Sequence, residues 1–418
     1  MIQSTVRRRR VLYIPGFDPM PPRRYRELYR REGAKQAEIS GYSLAQTGSG
    51  GDPFSWGVET KTEGQPVSAR VEVLAWADIV QDSMDRGILG TYWQLLKTAW
   101  IYLSTGTLRR LMWLRKGPII AALYPVVMLV GQFFLAWAAG ALAGGLLNRG
   151  ITAALTFVFG GPGWFGALLG NAVGWAVVLA LMVVVLRGFR ALDGRLFAYY
   201  LMHDYAFSAG LSGEDRPELI ERRAAFADKV ADALADDVDE VLVVGHSSGA
   251  QIAVSLVADL LRAGRVPANG PVLSLLTLGQ AIPMVSFLPW ARRLRADLNL
   301  LAGSDAITWI DVSAPGDGCA FALCDPVAVT GVTPERQRWP IVLSAAFTQT
   351  MSPETWRQLR WRFFRLHFQY LCAFDKPGAY DYFQLTAGPK TLAERFGDRP
   401  SSTNRIDVAA SRYTSMAA

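Results

Sequence analysis

Between Lys116 and Arg187 the chain carries a single charged residue, Arg149, and no other feature limits its possible folds so sharply. Ile119 to Leu147 is apolar apart from Gln132 and is long enough to cross a bilayer as a helix. A second crossing is expected from about Trp164 to Leu186. Ile151 to Phe159, between them, is also largely apolar and either extends a helix or lies at the far interface. The glycines and proline inside the first stretch are tolerated in transmembrane helices. A buried helical hairpin of a soluble protein is the rival, but soluble core helices rarely stay free of charge over such a length. Only 19% of the residues are charged and 51% are hydrophobic, a balance that also points to membrane content.

The flanks orient the hairpin. Arg109, Arg110, Arg115 and Lys116 precede the first span and Arg187, Arg190 and Arg195 follow the second, whereas the loop between offers only Arg149. The positive-inside rule then places both ends of the hairpin, and with them both termini, in the cytoplasm. An integral protein of a bacterial inner membrane is the expected location. Tyr92, Trp93, Trp100, Tyr102 and Trp113 are interleaved with Lys97, Arg109 and Arg110, as in helices lying at headgroup level. Packing of the same aromatics into a core is the alternative.

Net charge +7 suits either nucleic acid or an anionic lipid surface. No zinc-finger spacing or basic nucleic-acid motif supports the first, so no nucleic-acid partner is expected and the bilayer is preferred. Cys319, Cys324 and Cys372 form no Cys-x-x-Cys pair, and so sparse and odd a count fits a reducing compartment. At the N-terminus a basic cluster, Arg7 to Arg10, is followed by Val11 to Ile14, which Pro15, Gly16, Pro19, Pro21 and Pro22 cut short. That is too brief for the apolar core of a signal peptide, so the arginines are expected to flank a first strand on the cytoplasmic side.

Outside the hairpin, strands and helices alternate. Val11 to Ile14, Val58 to Lys61, Ala69 to Trp76, Glu240 to Val244, Val272 to Leu278 and Ile307 to Val312 read as strands. Arg23 to Ser40, Pro217 to Ala235 and Leu288 to Ala302 read as helices. Such alternation predicts a mostly parallel sheet with chemistry at the carboxyl ends of its strands. No Pro/Ser-rich linker divides the chain. The expected partition is residues 1–90 and 201–400 for one α/β domain, 91–200 for interfacial helices and hairpin, and 401–418 for a small polar tail expected to be disordered.

Gly245, His246, Ser247, Ser248 and Gly249 lie between the Glu240 to Val244 strand and an apolar-periodic helix from Ala250 to Arg262. A strand, a Gly-x-Ser-x-Gly turn and a helix make the setting of a nucleophile elbow, in which Ser247 is pushed out above the sheet edge. The helix that follows aims its N–H groups and positive end at the place where an oxyanion would form. Pro15, Gly16 and Phe17 follow the first strand directly, where an architecture of this kind has a loop that contributes a backbone N–H to the oxyanion hole. The Phe17 and Ser248 N–H groups are therefore the candidate oxyanion donors, although Gly16 equally suits a plain tight turn.

A strand followed by Pro15, Gly16 and Phe17, a later Gly245 to Gly249 elbow, and an acid and a histidine downstream together resemble the α/β-hydrolase superfamily, on its serine esterase or lipase side. The likeness covers roughly residues 9 to 90 and 200 to 390 and specifies the superfamily better than any substrate. It implies an α/β-hydrolase-like, mostly parallel sheet flanked by helices, here interrupted by a two-helix transmembrane hairpin where many such enzymes are unbroken. It also implies the chain order serine, acid, histidine. Of three histidines, His203 precedes the elbow and His246 sits beside the nucleophile, where its side chain should diverge from that of Ser247. His367 remains as the base. Asp317, in a loop just after the Ile307 to Val312 strand, is the favoured acid; Asp311, inside that strand, and Asp325, in a turn or helix cap, stay open as alternatives.

Trp356 to Tyr370 is basic and aromatic together. As a helix it either rests on lipid headgroups or packs its aromatics on the sheet with arginines facing water. Tyr380 to Phe383 carries no functional reading. The expected activity is hydrolysis of a lipid or other apolar ester by a Ser247–His367–Asp317 triad, with no metal or organic cofactor required. Acyl transfer by the same triad, and a non-catalytic membrane-anchored binding or assembly module, are the alternatives. Nothing in the sequence specifies an oligomeric state.

Overall fold

The computed structural model describes residues 5–48 and 52–417; residues 1–4, 49–51 and 418, which belong to the expected N-terminal domain and tail, lie outside the described residues. The chain forms two compact units, one of residues 1–83, 100–120 and 208–418 and one of residues 84–99 and 121–207.

The first unit is built on β1 (Arg8–Ile14), β2 (Ser43–Thr47), β3 (Ser55–Thr62), β4 (Gln65–Val73), β5 (Glu240–His246), β6 (Val272–Leu278), β7 (Thr308–Ser313) and β8 (Ile341–Ser344). They form one sheet in the order β2-β3-β4-β1-β5-β6-β7-β8. From β4 onward every pairing is parallel, and only β2–β3 and β3–β4 are antiparallel. Tyr13 of β1 stands between Val73 of β4 and Val244 of β5. All residues of β5 are buried, as in a parallel strand covered on both faces. Helices Arg23–Ser40, Pro217–Ala235, Gly249–Arg262 and Arg292–Gly303 bury apolar faces in this unit.

Several expected elements differ in place or extent. The expected strands at Val58 to Lys61 and Ala69 to Trp76 are the arms of a hairpin, β3 and β4, turning at Glu63 and Gly64. β2 and β8 were not expected. The helix expected from Leu288 starts only at Arg292, because the preceding residues are held in a turn whose Trp290 N–H donates to Ser212 O at 2.9 Å. Trp356 to Tyr370 is no single helix but two short ones, Pro353–Leu359 and Phe363–His367, followed by a 3₁₀ turn over Phe368–Leu371.

The N-terminal arginines do not simply flank β1. Arg8, Arg9 and Arg10 lie within it, and Arg9 is buried in an ion pair with Glu240, its Nε 2.6 Å from Oε2. The tail expected to be disordered is instead hydrogen-bonded to the body of the unit. Ser402 N–H donates to Val342 O at 2.7 Å, Ile406 N–H to Leu323 O at 2.8 Å and Ala410 N–H to Val329 O at 2.9 Å, while Ser415 O accepts from Arg295 Nε at 2.7 Å. Strand β8, the loop after β7 and two neighbouring helices thus pair its backbone polar groups.

The first long helix runs unbroken from Lys116 to Phe159, its residues from Ala121 on in the second unit, so Ile151 to Phe159 extends it; the second, wholly in that unit, spans Gly163–Ala191. Both are long and apolar enough to cross a membrane, and only 28% and 17% of their most apolar stretches are buried. They meet at small residues: a Cβ on Gly144 would stand 2.4 Å from Gly174 O, and Asn148 Nδ2 donates to Asn171 Oδ1 at 3.0 Å. Leu95, Leu129 and Met202 form a core with helices Gly87–Ser104 and Ala198–Ala209, where Tyr92 Oη donates to Leu129 O at 2.8 Å. The aromatics expected at headgroup level thus divide. Tyr92 packs in this core and Tyr102 is buried in the first unit, whereas Trp93, Trp100 and Trp113 are exposed.

Candidate active site

The carboxyl ends of β1, β5 and β7 bring one loop each to the same edge of the sheet. After β5 the chain turns through Ser247, whose φ of +57° lies in the left-handed region that costs a non-glycine residue about 1–2 kcal/mol. Ser247 N–H donates to Leu278 O at 2.9 Å, and Ser247 O accepts from Ala250 N–H at 3.1 Å, which fixes the turn. The flanking glycines are required by close approach. A Cβ on Gly245 would meet Ala250 Cα at 2.7 Å, and one on Gly249 would meet Pro15 O at 2.4 Å. Ser247 is consequently part-exposed among buried neighbours.

The loop after β1 lies directly against this turn: a Cβ on Gly16 would stand 2.9 Å from Ser247 Cβ and 3.4 Å from its Oγ. Trp76 Nε1 donates to Pro15 O at 2.9 Å and holds the loop in place. The Phe17 N–H, a candidate oxyanion donor, donates at 2.8 Å to the hydroxyl of Ser248, the other candidate. The Phe17 N–H is thus already engaged by the Ser248 side chain.

Asp317 lies in the turn after β7, its N–H donating to Ala314 O at 2.9 Å. Its Oδ2 accepts from His367 Nδ1 at 2.7 Å and from Tyr370 Oη at 3.0 Å, and its Oδ1 from Cys319 N–H at 2.9 Å. Burial alone pushes this carboxyl up. The electrostatic attraction of His367 and its hydrogen bond, then the Cys319 N–H and the Tyr370 hydroxyl, outweigh burial and hold it below the usual carboxylate range. A carboxylate only accepts, so the His367 proton is assigned to Nδ1. His367 Nε2 is left with its lone pair, buried and without a hydrogen-bond partner among the described residues. The bond from Ser247 Oγ to Nε2 is therefore not formed here; such bonds are often long without substrate.

His246 diverges from Ser247 and serves a different purpose. Its Nε2 donates to His367 O at 3.0 Å, and the two rings lie 4.8 Å apart. Burial first, and the nearby His367 second, push its pKa down to about 3, so it is neutral at physiological pH and props the backbone of His367. His203 belongs to the second unit, bonded through Nδ1 to Gln94 Oε1 at 2.8 Å. The alternative acids have other partners. Asp311 Oδ1 accepts from Thr277 Oγ1 at 2.6 Å, and Asp325 caps a short helix by accepting from Val327 and Ala328 N–H. Of the three aspartates, Asp317 is the one hydrogen-bonded to a histidine.

Around Asp317 the turn is covered by large side chains. A Cβ on Gly316 would meet the Trp356 ring at 2.8 Å, and one on Gly318 would lie 3.5 Å from the Phe363 ring. Gly117, in the first turn of the long Lys116–Phe159 helix, is close enough that its Cβ would lie 3.5 Å from Gly318 Cα. Trp361 and Phe363 are exposed, with Arg360 stacked on the Trp361 ring at 5.6 Å.

Two participants escaped sequence reasoning. Tyr370 holds both Asp317 and, by accepting from Ala314 N–H at 2.9 Å, the start of its loop. The Ser248 hydroxyl engages Phe17. Neither is signalled by spacing, because a tyrosine in an aromatic run and a serine in the elbow look alike whatever their hydroxyls meet. No family model, curated protein or solved structure matches this chain.

Proposed function

We propose that the chain is a membrane-anchored serine hydrolase of the α/β-hydrolase kind, cleaving an ester of a lipid or other apolar acyl group. The observation that carries this reading is the buried Asp317–His367 hydrogen bond at 2.7 Å, made at the same sheet edge as a serine held at positive φ. Ser247 Oγ attacks the ester carbonyl and passes its proton to His367 Nε2, while Asp317 stabilises the imidazolium that forms. The oxyanion is received by the N–H groups of Phe17 and Ser248 once the Ser248 hydroxyl has rotated away. His367 then protonates the departing alcohol, and water, deprotonated by the same nitrogen, releases the acid.

Two observations support an apolar substrate taken from a bilayer. The two long helices expose most of their apolar surface, which suits lipid and not water. The acid's loop touches both the first turn of one of these helices, at Gly117, and the exposed Phe363. Basic residues at both ends of the hairpin favour a cytoplasmic active site.

The test is an active-site-directed fluorophosphonate on the native protein, with ester turnover measured alongside. Labelling should disappear in Ser247→Ala, and His367→Ala should lose at least about 10⁴-fold in kcat. A wild-type protein that takes no label under native conditions overturns the enzyme and leaves a membrane-anchored binding module. Near-normal turnover in His367→Ala overturns the assigned base.

A further inference from the structure

Asp317 and His367 have a third neighbour. A carboxylate oxygen of Asp317, the Cys319 sulfur and a ring nitrogen of His367 all lie within 4.8 Å of one another, the one such group of three among the described residues. Asp317 and Cys319 are presented from a single tight turn, closed by the 2.9 Å bond from Cys319 N–H to Asp317 Oδ1. Asp317 and His367 are buried and Cys319 is part-exposed, so the thiol marks the side from which an ion can enter. His367 Nε2 is buried and has no hydrogen-bond partner among the described residues. The other two thiols stand apart from this chemistry: burial pushes Cys324 up to about 12 and Cys372 up to about 11.

We propose that Asp317, Cys319 and His367 form a zinc site whose occupation switches the nucleophile's base off. One carboxylate, one thiolate and one imidazole are the mixed ligand set that zinc accepts, with a fourth position left for water. Binding releases one proton, from the Cys319 thiol, and the two anionic ligands neutralise the dication in a buried place. Affinity therefore rises with pH. Whichever ring nitrogen coordinates, the other carries the ring proton, and His367 keeps no lone pair to accept a proton from Ser247. The binding stands on geometry alone; the inhibition rests on the hydrolase reading above.

The experiment uses the full-length protein in detergent micelles, with Co²⁺ as a spectroscopic probe and Zn²⁺ as the inhibitor. One equivalent of Co²⁺ should produce a thiolate-to-cobalt charge-transfer absorption that Zn²⁺ abolishes by displacement. The band should be lost in Cys319→Ala and kept in Cys372→Ala. Changes outside the ligand shell weaken metal binding about 10–100-fold, so loss of a direct ligand should weaken it at least about 100-fold. Zn²⁺ at ten times its Kd should lower ester turnover about tenfold by occupancy, with recovery on adding a chelator. In Cys319→Ala the same Zn²⁺ should leave that variant's own rate within about twofold. No band at one equivalent, or a band that survives Cys319→Ala, overturns the site. Turnover that rises with Zn²⁺ overturns the inhibitory role. A cobalt band in a protein that takes no fluorophosphonate keeps the metal site and removes the hydrolase.

Discussion

β5 and the Gly163–Ala191 helix are both apolar, yet every residue of β5 is buried while Trp164, Trp175, Leu179 and Val184 of the helix stand exposed. The contrast extends to polar groups. In the sheet unit a charge is taken inside and fully matched: Arg9 meets Glu240, Gly388 O and Lys390 O, and Glu240 also accepts from Ser274 Oγ and Leu392 N–H. In the helical unit the small residues Gly144 and Gly174 and the amides of Asn148 and Asn171 face the partner helix, and large apolar side chains face outward. Hydrophobicity thus says only that a segment avoids water. Whether it does so by packing in a protein core or by dissolving in an apolar medium shows in which side chains it turns to its neighbours.

The largest effect expected of this contrast lies in the sheet unit. Glu240→Ala leaves the Arg9 guanidinium buried against carbonyls alone and should cost about 3–5 kcal/mol, read by thermal unfolding of the purified protein. A loss under about 1 kcal/mol would mean that this interior tolerates an unpaired charge, and the contrast would weaken. Next comes Leu179→Arg, on the exposed face of the second long helix. In lipid it should oppose insertion by about 2.5–3.5 kcal/mol in a translocation assay with glycosylation reporters. Unchanged insertion would mean that this face meets water.

The smallest effect, taken per pH unit, concerns Asp311, which burial raises to about 8 against the opposing Thr277 hydrogen bond. Its folded form binds the proton more tightly than an unfolded carboxyl near 3.9 does, so its contribution is complete below about pH 4 and is lost as pH rises towards 8. The loss cannot exceed about 1.4 kcal/mol per pH unit. Asp311→Asn keeps the acceptor for Thr277 but cannot ionise, so its stability should fall less between pH 5 and 8 than that of the wild type. Parallel slopes in the two proteins would refute the buried, protonated carboxyl.

Legibility in the sequence followed the same division. β5, β6 and β7 are apolar runs with turn residues around them, and the long helices lack charge, so each declared itself. β2, with the weak alternation of Ser43 to Thr47, exists because β3 offers it an edge, and β8 is four residues long. Arg360 to Arg362 contain no helix breaker, yet the helix breaks there; Trp356 against Gly316 and Phe363 against Gly318 are contacts made across the chain and invisible along it. At the candidate site, the resemblance's chain order left His367, and a strand-end loop favoured Asp317 while Asp311 and Asp325 stayed open. The second role of His246, propping a carbonyl 121 residues away, depended on the fold alone.

Arg9 of β1 and Glu240 of β5 touch although 231 residues separate them. At roughly 5–20 residues per second a ribosome takes on the order of ten to fifty seconds to travel from one to the other. Through that interval β1 has β4 for a neighbour on one side and nothing of β5 on the other. Both long helices are completed before the elbow strand is made, and Ser247 comes after all of them. Synthesis therefore delivers β1 to β4 first, the two long helices next, and the turn at Ser247 only after both.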